Sequence, residues 1–147
     1  MTTAQTAPPP PMRLRELVFG AACAAALRAA ARLGVADALG ETPTTVEDLA
    51  AAVKTEPKPL RRLLRALTCY GVFTEHKDGA FAHTDMSRLL REDDPHSLRN
   101  ITLWCTEPWT WDAWPLLDEA VRTGSNVVEG LYGKEFFTYL NEDAPQS

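Results

Sequence analysis

What this 147-residue chain lacks narrows its chemistry first. No run approaches the roughly 20 uncharged apolar residues that a bilayer-spanning helix needs, so no membrane partner is expected. Cys23, Cys69 and Cys105 are odd in number and far apart, each in an apolar stretch of helical pattern. That arrangement suits reduced core thiols better than disulfides or a metal site. The zinc-protease, CxxC, GxSxG and Walker motifs are absent, and no two of the eight glycines stand two apart. A phosphate-, dinucleotide- or nucleoside-binding loop is therefore missing, and neither a cofactor nor a metal is expected in this chain. None of the three histidines, His76, His83 and His96, has a Cys, Ser or carboxylate at a motif spacing, which leaves them surface or capping roles. Residues 1–11 have neither a basic nor an apolar region, and their four consecutive prolines do not suit a helix. A disordered or polyproline leader and a cytoplasmic location are the expectations.

What is present fits one globular domain: 45% apolar and 24% charged residues. The net charge of −5 argues against nucleic acid as a partner, although one basic face can persist within an acidic total.

The stretch from Met12 to Leu33 contains no proline and is dense in alanine, which predicts one long helix with Gly20 as its weak point. Eight of the eleven residues from Ala21 to Ala31 are alanine. A surface so small and apolar needs a cover, and in a short chain the expected cover is a second copy, meeting it along Leu17, Ala21, Ala25 and Ala29. After Gly34, Thr45 caps a helix whose inner stripe is Val46, Leu49, Ala50 and Val53. A further helix opens at Pro57 to Pro59, with Leu60, Leu63, Leu64, Leu67 and Tyr70 inward and Gly71 ending it. Val72 to Glu75 and Ala80 to His83 read as two strands joined at Asp78-Gly79. Thr84 caps "DMSRLL", a helix follows from about His96 to Thr106, and Pro108 opens another that Pro115 is expected to kink before Gly124. Lys134 to Leu140 reads as a final aromatic helix, and residues 142–147 as a polar tail. The fold class is mainly α, with a winged-helix-like domain over residues 12–141 and one short hairpin.

Two constellations compete for function. Lys58, Arg61, Arg62 and Arg65 line the second helix of the helix-turn-helix and could meet phosphates, yet an ordinary solvated face accounts for them equally. The chain's four tryptophans, Trp104, Trp109, Trp111 and Trp114, fall within eleven positions. They form either a satellite core or the wall of a pocket for a planar ligand.

Taken in order, "LGVADAL", "TVEDLAAAV", "PLRRLLRALTCYGVFTE", "GAFAHTDMSRLLRED", "PWTWDAW", "AVRTG" and "GKEFFTYL" resemble the N-terminal dimerisation domain of S-adenosylmethionine-dependent small-molecule O-methyltransferases. The bacterial polyketide-tailoring branch, of the carminomycin 4-O-methyltransferase type, is the most similar. The resemblance implies a homodimer whose aromatic helices cap a small aromatic or polyketide substrate, with Trp104, Trp111 and Phe137 as pocket-lining residues. It also implies that S-adenosylmethionine and the catalytic base belong to a following Rossmann-like domain. The sequence reaches Ser147 without that domain's glycine-rich loop, so this chain by itself is expected to be inactive. A free-standing winged-helix regulator or ligand-sensing dimer is the alternative.

Overall fold

The computed structural model describes residues 8–142. Contacts divide the chain into two compact units, residues 1–99 and 100–147. Secondary structure among the described residues is helical apart from one antiparallel hairpin.

The first unit opens with α1 (Pro10–Val18), which starts two residues inside the expected leader. Pro10 and Pro11 occupy a first helical turn, where a missing N–H forfeits no hydrogen bond. Residues 1–7 of that leader lie outside the described residues. The expected single helix is two: the chain breaks at Phe19 (φ −81°, ψ 1°) and α2 (Gly20–Leu33) resumes at the glycine, whose helix propensity is poor. Gly34, at φ 67°, ends α2 in the left-handed region.

α3 (Val35–Ala38), α4 (Val46–Ala52) and α5 (Pro57–Thr68) enclose the core with the alanine end of α2. Thr45 caps α4 as expected, its Oγ1 accepting from the Asp48 N–H at 3.2 Å. Leu60, Leu64 and Leu67 are buried against Val35, Leu39, Leu49 and the two strand phenylalanines. Each buried leucine contributes about 1.5–3 kcal/mol. Tyr70 departs from this stripe and is exposed, because Cys69 already caps α5 and the chain turns at Gly71 (φ 73°), so helical spacing no longer governs where residue 70 points.

β1 (Phe73–Glu75) pairs with β2 (Phe81–His83), Phe73 opposite His83 and Glu75 opposite Phe81. The alternation of the strand pleat puts these four on one face, with both phenylalanines in the core. The turn closes where the His76 N–H donates to the Ala80 carbonyl at 2.8 Å and Gly79 takes φ 84°. Thr44 and Phe81 exchange two backbone hydrogen bonds of 2.9 Å, a bridge that ties the hairpin to the segment leading into α4. α6 (Asp85–Arg88) begins with a capping box between Thr84 and Ser87.

The second unit continues α7 (Arg99–Cys105), which starts later than the expected His96. Ser97 Oγ accepts from the Arg99 N–H at 3.2 Å, as a capping side chain does. The helix expected from Pro108 to Gly124 is three pieces: α8 (Pro108–Trp111), a 3-10 turn (Trp114–Leu116) and α9 (Leu117–Thr123). Pro115 removes an N–H and disfavours helical backbone at the residue before it, so the chain breaks rather than kinks. α10 (Val127–Tyr132), which the sequence reading did not foresee, is capped by Asn126 and stopped by Gly133 at φ 67°. α11 (Phe136–Glu142) is last. Of the described residues in this unit, only Thr106 and Trp109 are buried.

Candidate functional site

Trp109 organises the second unit. Its ring meets Trp104 edge to face (5.7 Å between centroids, 77° between planes), Phe136 at 5.9 Å and Tyr139 at 6.2 Å. Such tilted arrangements suit the ring quadrupoles. Beside Trp109 lies a cavity of about 340 Å³, lined by Trp104, Cys105, Trp109, Thr110, Ala113, Trp114, Val128 and Phe136. This falls in the size range of small-molecule pockets. The Thr110 hydroxyl donates back to the Glu107 carbonyl at 2.6 Å, so even this polar side chain is satisfied within its own turn. The wall is apolar and aromatic, suited to a flat ring.

Of the expected pocket residues, the structure puts Trp104 in this wall, while Trp111 and Phe137 are not among its lining residues. Trp111 is the last residue of α8 and Trp114 the first of the next turn, so the two no longer share one helical face. Phe137 follows Phe136 by one position, about 100° further round α11, and is 66% exposed. Trp109, Trp114 and Phe136, which the sequence reading did not select, carry the cavity. Trp109 and Trp114 were visible in the tryptophan cluster, but choosing Phe136 over Phe137 required the start of α11.

The expected dimer stripe lies on α1 and α2. Leu17 on α1 and Ala21 and Ala25 on α2 are exposed, and Ala29 is half-buried; the three alanines are spaced four apart along α2. Met12, Leu14, Val18 and Phe19 are also more than half exposed, so α1 presents a broad apolar surface.

The basic face of α5 is partly closed on itself. Arg65 makes a forked pair with Glu75 of β1, Nε to Oε2 at 2.8 Å and Nη2 to Oε1 at 2.9 Å. Arg61 reaches the same carboxylate at 3.4 Å and Glu47 at 3.6 Å. Hydrogen bonds from Arg65, with added attraction from Arg61, hold the Glu75 carboxyl below its usual range. Two of the four cations that could have met phosphate are thus turned onto β1.

The histidines offer no catalytic arrangement among the described residues. His83 Nε2 donates to the Leu39 carbonyl at 3.0 Å, and its Nδ1 lies 2.8 Å from Ser87 Oγ, a wholly buried hydroxyl. Burial is the main cause holding His83 below the usual histidine range, so it stays neutral and Nδ1 accepts from the serine. The cysteines are free, but the expectation of buried thiols fails for two: Cys69 and Cys105 are exposed, because α5 and α7 end at those residues instead of carrying them into the core. No group of three or more potential metal ligands, and no helix long and apolar enough to cross a membrane, occurs among the described residues.

Comparison with known proteins places this chain in a family. The profile of the O-methyltransferase dimerisation domain matches residues 15–93, and the chain belongs to that family. Such a domain implies a homodimer. The chain is 34% identical over 127 residues to the phenazine O-methyltransferase PhzM of Lysobacter antibioticus, covering 86% of this chain and 37% of that protein. It is 41% identical over 114 residues to the 8-amino-8-demethylriboflavin N,N-dimethyltransferase of Streptomyces davaonensis, covering 78% and 33%. Among solved structures, LaPhzM superposes with a TM-score of 0.81 at 32% identity, over 92% of this chain and 41% of that one. The O-methyltransferase NcsB1 from neocarzinostatin biosynthesis, solved with S-adenosyl-L-homocysteine and 1,4-dihydroxy-2-naphthoic acid, gives 0.66 at 30% identity, over 88% and 40%. The chain thus spans between a third and about two fifths of these proteins.

Proposed function

We propose that this chain is the dimerisation and substrate-capping part of an S-adenosylmethionine-dependent methyltransferase acting on an aromatic or polyketide hydroxyl. The observation that carries the reading is the cleft: about 340 Å³ bounded by three indoles and Phe136. A planar ring system held there is oriented by its faces, and orientation is the main demand of in-line methyl transfer. Trp104 caps the substrate together with Trp109, Trp114 and Phe136, and the stripe of Leu17, Ala21, Ala25 and Ala29 meets a second copy.

The described residues do not fit the methyl donor. β2 runs directly into the capping box at Thr84, where side chains meet the Thr84 and Ser87 N–H groups, and the hairpin turn is closed by its own hydrogen bonds. No step of the transfer is assigned to this chain, which on this reading does not methylate unaided. The cytoplasm is the compartment the reading carries with it.

The test uses the intact chain. Titration with 1,4-dihydroxy-2-naphthoic acid is expected to quench tryptophan fluorescence saturably and to protect Cys105, on the cleft wall, from iodoacetamide, with Cys69 as the unprotected internal control. Equal alkylation of both thiols at every ligand concentration would count against the capping role.

A further inference from the structure

The cleft has two walls of separate origin. The stretch from α7 through α8 to the 3-10 turn supplies Trp104, Cys105, Trp109, Thr110, Ala113 and Trp114, while α10 and α11 supply Val128 and Phe136. Some interaction has to fix the distance between them. Tyr132, the last residue of α10, reaches across: its hydroxyl lies 3.1 Å from the Trp109 carbonyl and 3.2 Å from Asp112 Oδ2, both on the α8 side. Both partners are acceptors, so the one phenolic proton is shared between them. The Tyr132 ring is itself held by a parallel stack on Tyr139 of α11, 4.2 Å between centroids and 18° between planes. Gly133, in the left-handed region, lets α10 and α11 fold together closely enough for that stack. One side chain therefore joins the α10–α11 pair to the backbone of the very residue whose ring lines the cleft.

We infer that Tyr132 is a positioning residue that sets the width of the aromatic cleft, and with it the size of the flat ring system the cleft admits. It acts through Trp109 and touches no ligand, being absent from the cavity lining. The phenol also stays protonated over the working range: burial, the largest cause, and the neighbouring Asp112 both raise its pKa. The inference rests on the capping role proposed above and adds to it the element that selects among planar substrates.

The experiment compares 2-naphthol, with two fused rings, and 2-hydroxyanthraquinone, with three, by tryptophan quenching on the intact chain and on Tyr132→Phe. The variant keeps the stack and removes only the hydroxyl. A purely structural role would lower both affinities together through the folded fraction, leaving their ratio fixed. Loss of the tether instead shifts the ratio of dissociation constants towards the larger probe, by about fivefold if one neutral hydrogen bond sets the gap. Asp112→Ala, which leaves the Trp109 carbonyl as sole acceptor, is expected to move the ratio the same way but less, and it serves if the phenylalanine variant does not fold. An unchanged ratio in variants that still bind overturns the assignment to Tyr132 alone. Failure of the unmodified chain to bind either probe overturns the capping role and this inference together.

Discussion

Both units leave apolar side chains open, but only the first also builds a closed core. In the first, Leu60, Leu64, Leu67, Phe73 and Phe81 are all at most 2% exposed and share one core. In the second, Trp109 is buried while Trp104, Trp114, Leu117, Val121 and Phe137 remain 41–79% exposed. The first unit has a closed core to persist around, even though its α1 leaves Leu14 and Leu17 uncovered. A unit that leaves indoles and phenylalanine open is built to be completed by something else, a ligand or another surface.

The sharpest way to break this comparison is to delete one large side chain from each unit. Leu64→Ala, at a wholly buried position, is expected to cost about 2–5 kcal/mol, read from urea unfolding. Trp114→Ala, at 63% exposure, is expected to cost less than about 1 kcal/mol yet to abolish quenching by planar ligands. Equal losses of stability would erase the distinction between the units. Next in size is Ala25→Glu on the exposed side of α2, which places a charge where a second copy is proposed to sit. Sedimentation is expected to show at least about a tenfold weaker dimer, since an unpaired charge resists burial. A smaller effect concerns the latch on α5: with Arg61 and Arg65 paired to Glu75, the chain is expected to show no salt-dependent retention of random duplex DNA even at low ionic strength.

Smaller still is the pH response of the first unit. Because His83 is held below the ordinary value, the unfolded chain binds the proton more readily than the folded one. The stability from neutral His83 is fully present above about pH 6.5, the ordinary histidine value, and drains away as the pH falls below it. Thermal melts between about pH 7.5 and 5.5 are expected to show the decline, with His83→Asn flattening it. The smallest change is a gain: Lys54, at φ 55° without being glycine, closes α4 in the left-handed region, and Lys54→Gly is expected to stabilise by about 0.5–1 kcal/mol in the same melts.

How much of this was legible in the sequence divides along the same line. The first unit is written in local rules: Thr45 and Thr84 cap where their spacing says, Gly34 and Gly79 take the left-handed backbone their positions demand, and the leucines of α5 are buried with helical period. What escaped there depends on where a helix stops, as with Tyr70, or on pairing distant in sequence, as with Thr44 and Phe81. The second unit is written in short helices whose phase resets at each break. Four tryptophans were plain to see, but Trp111 and Trp114 could be separated only once α8 was known to end between them, and α10, six residues long, left just Asn126 and Gly133 as punctuation. The reversal from buried to exposed thiols at Cys69 and Cys105 has the same origin.

The first helix carries a consequence for how the molecule comes into being. Every residue of α1 is exposed, and at nine residues it is too short to hold itself together in water. In the proposed dimer the second copy supplies the missing cover, so that ordering of the N-terminal arm and assembly become linked and dilution acts on the arm as a denaturant would. A protease acting near Phe19 should therefore cut fast in dilute solution and slowly in concentrated solution, with the chain's own concentration as the switch.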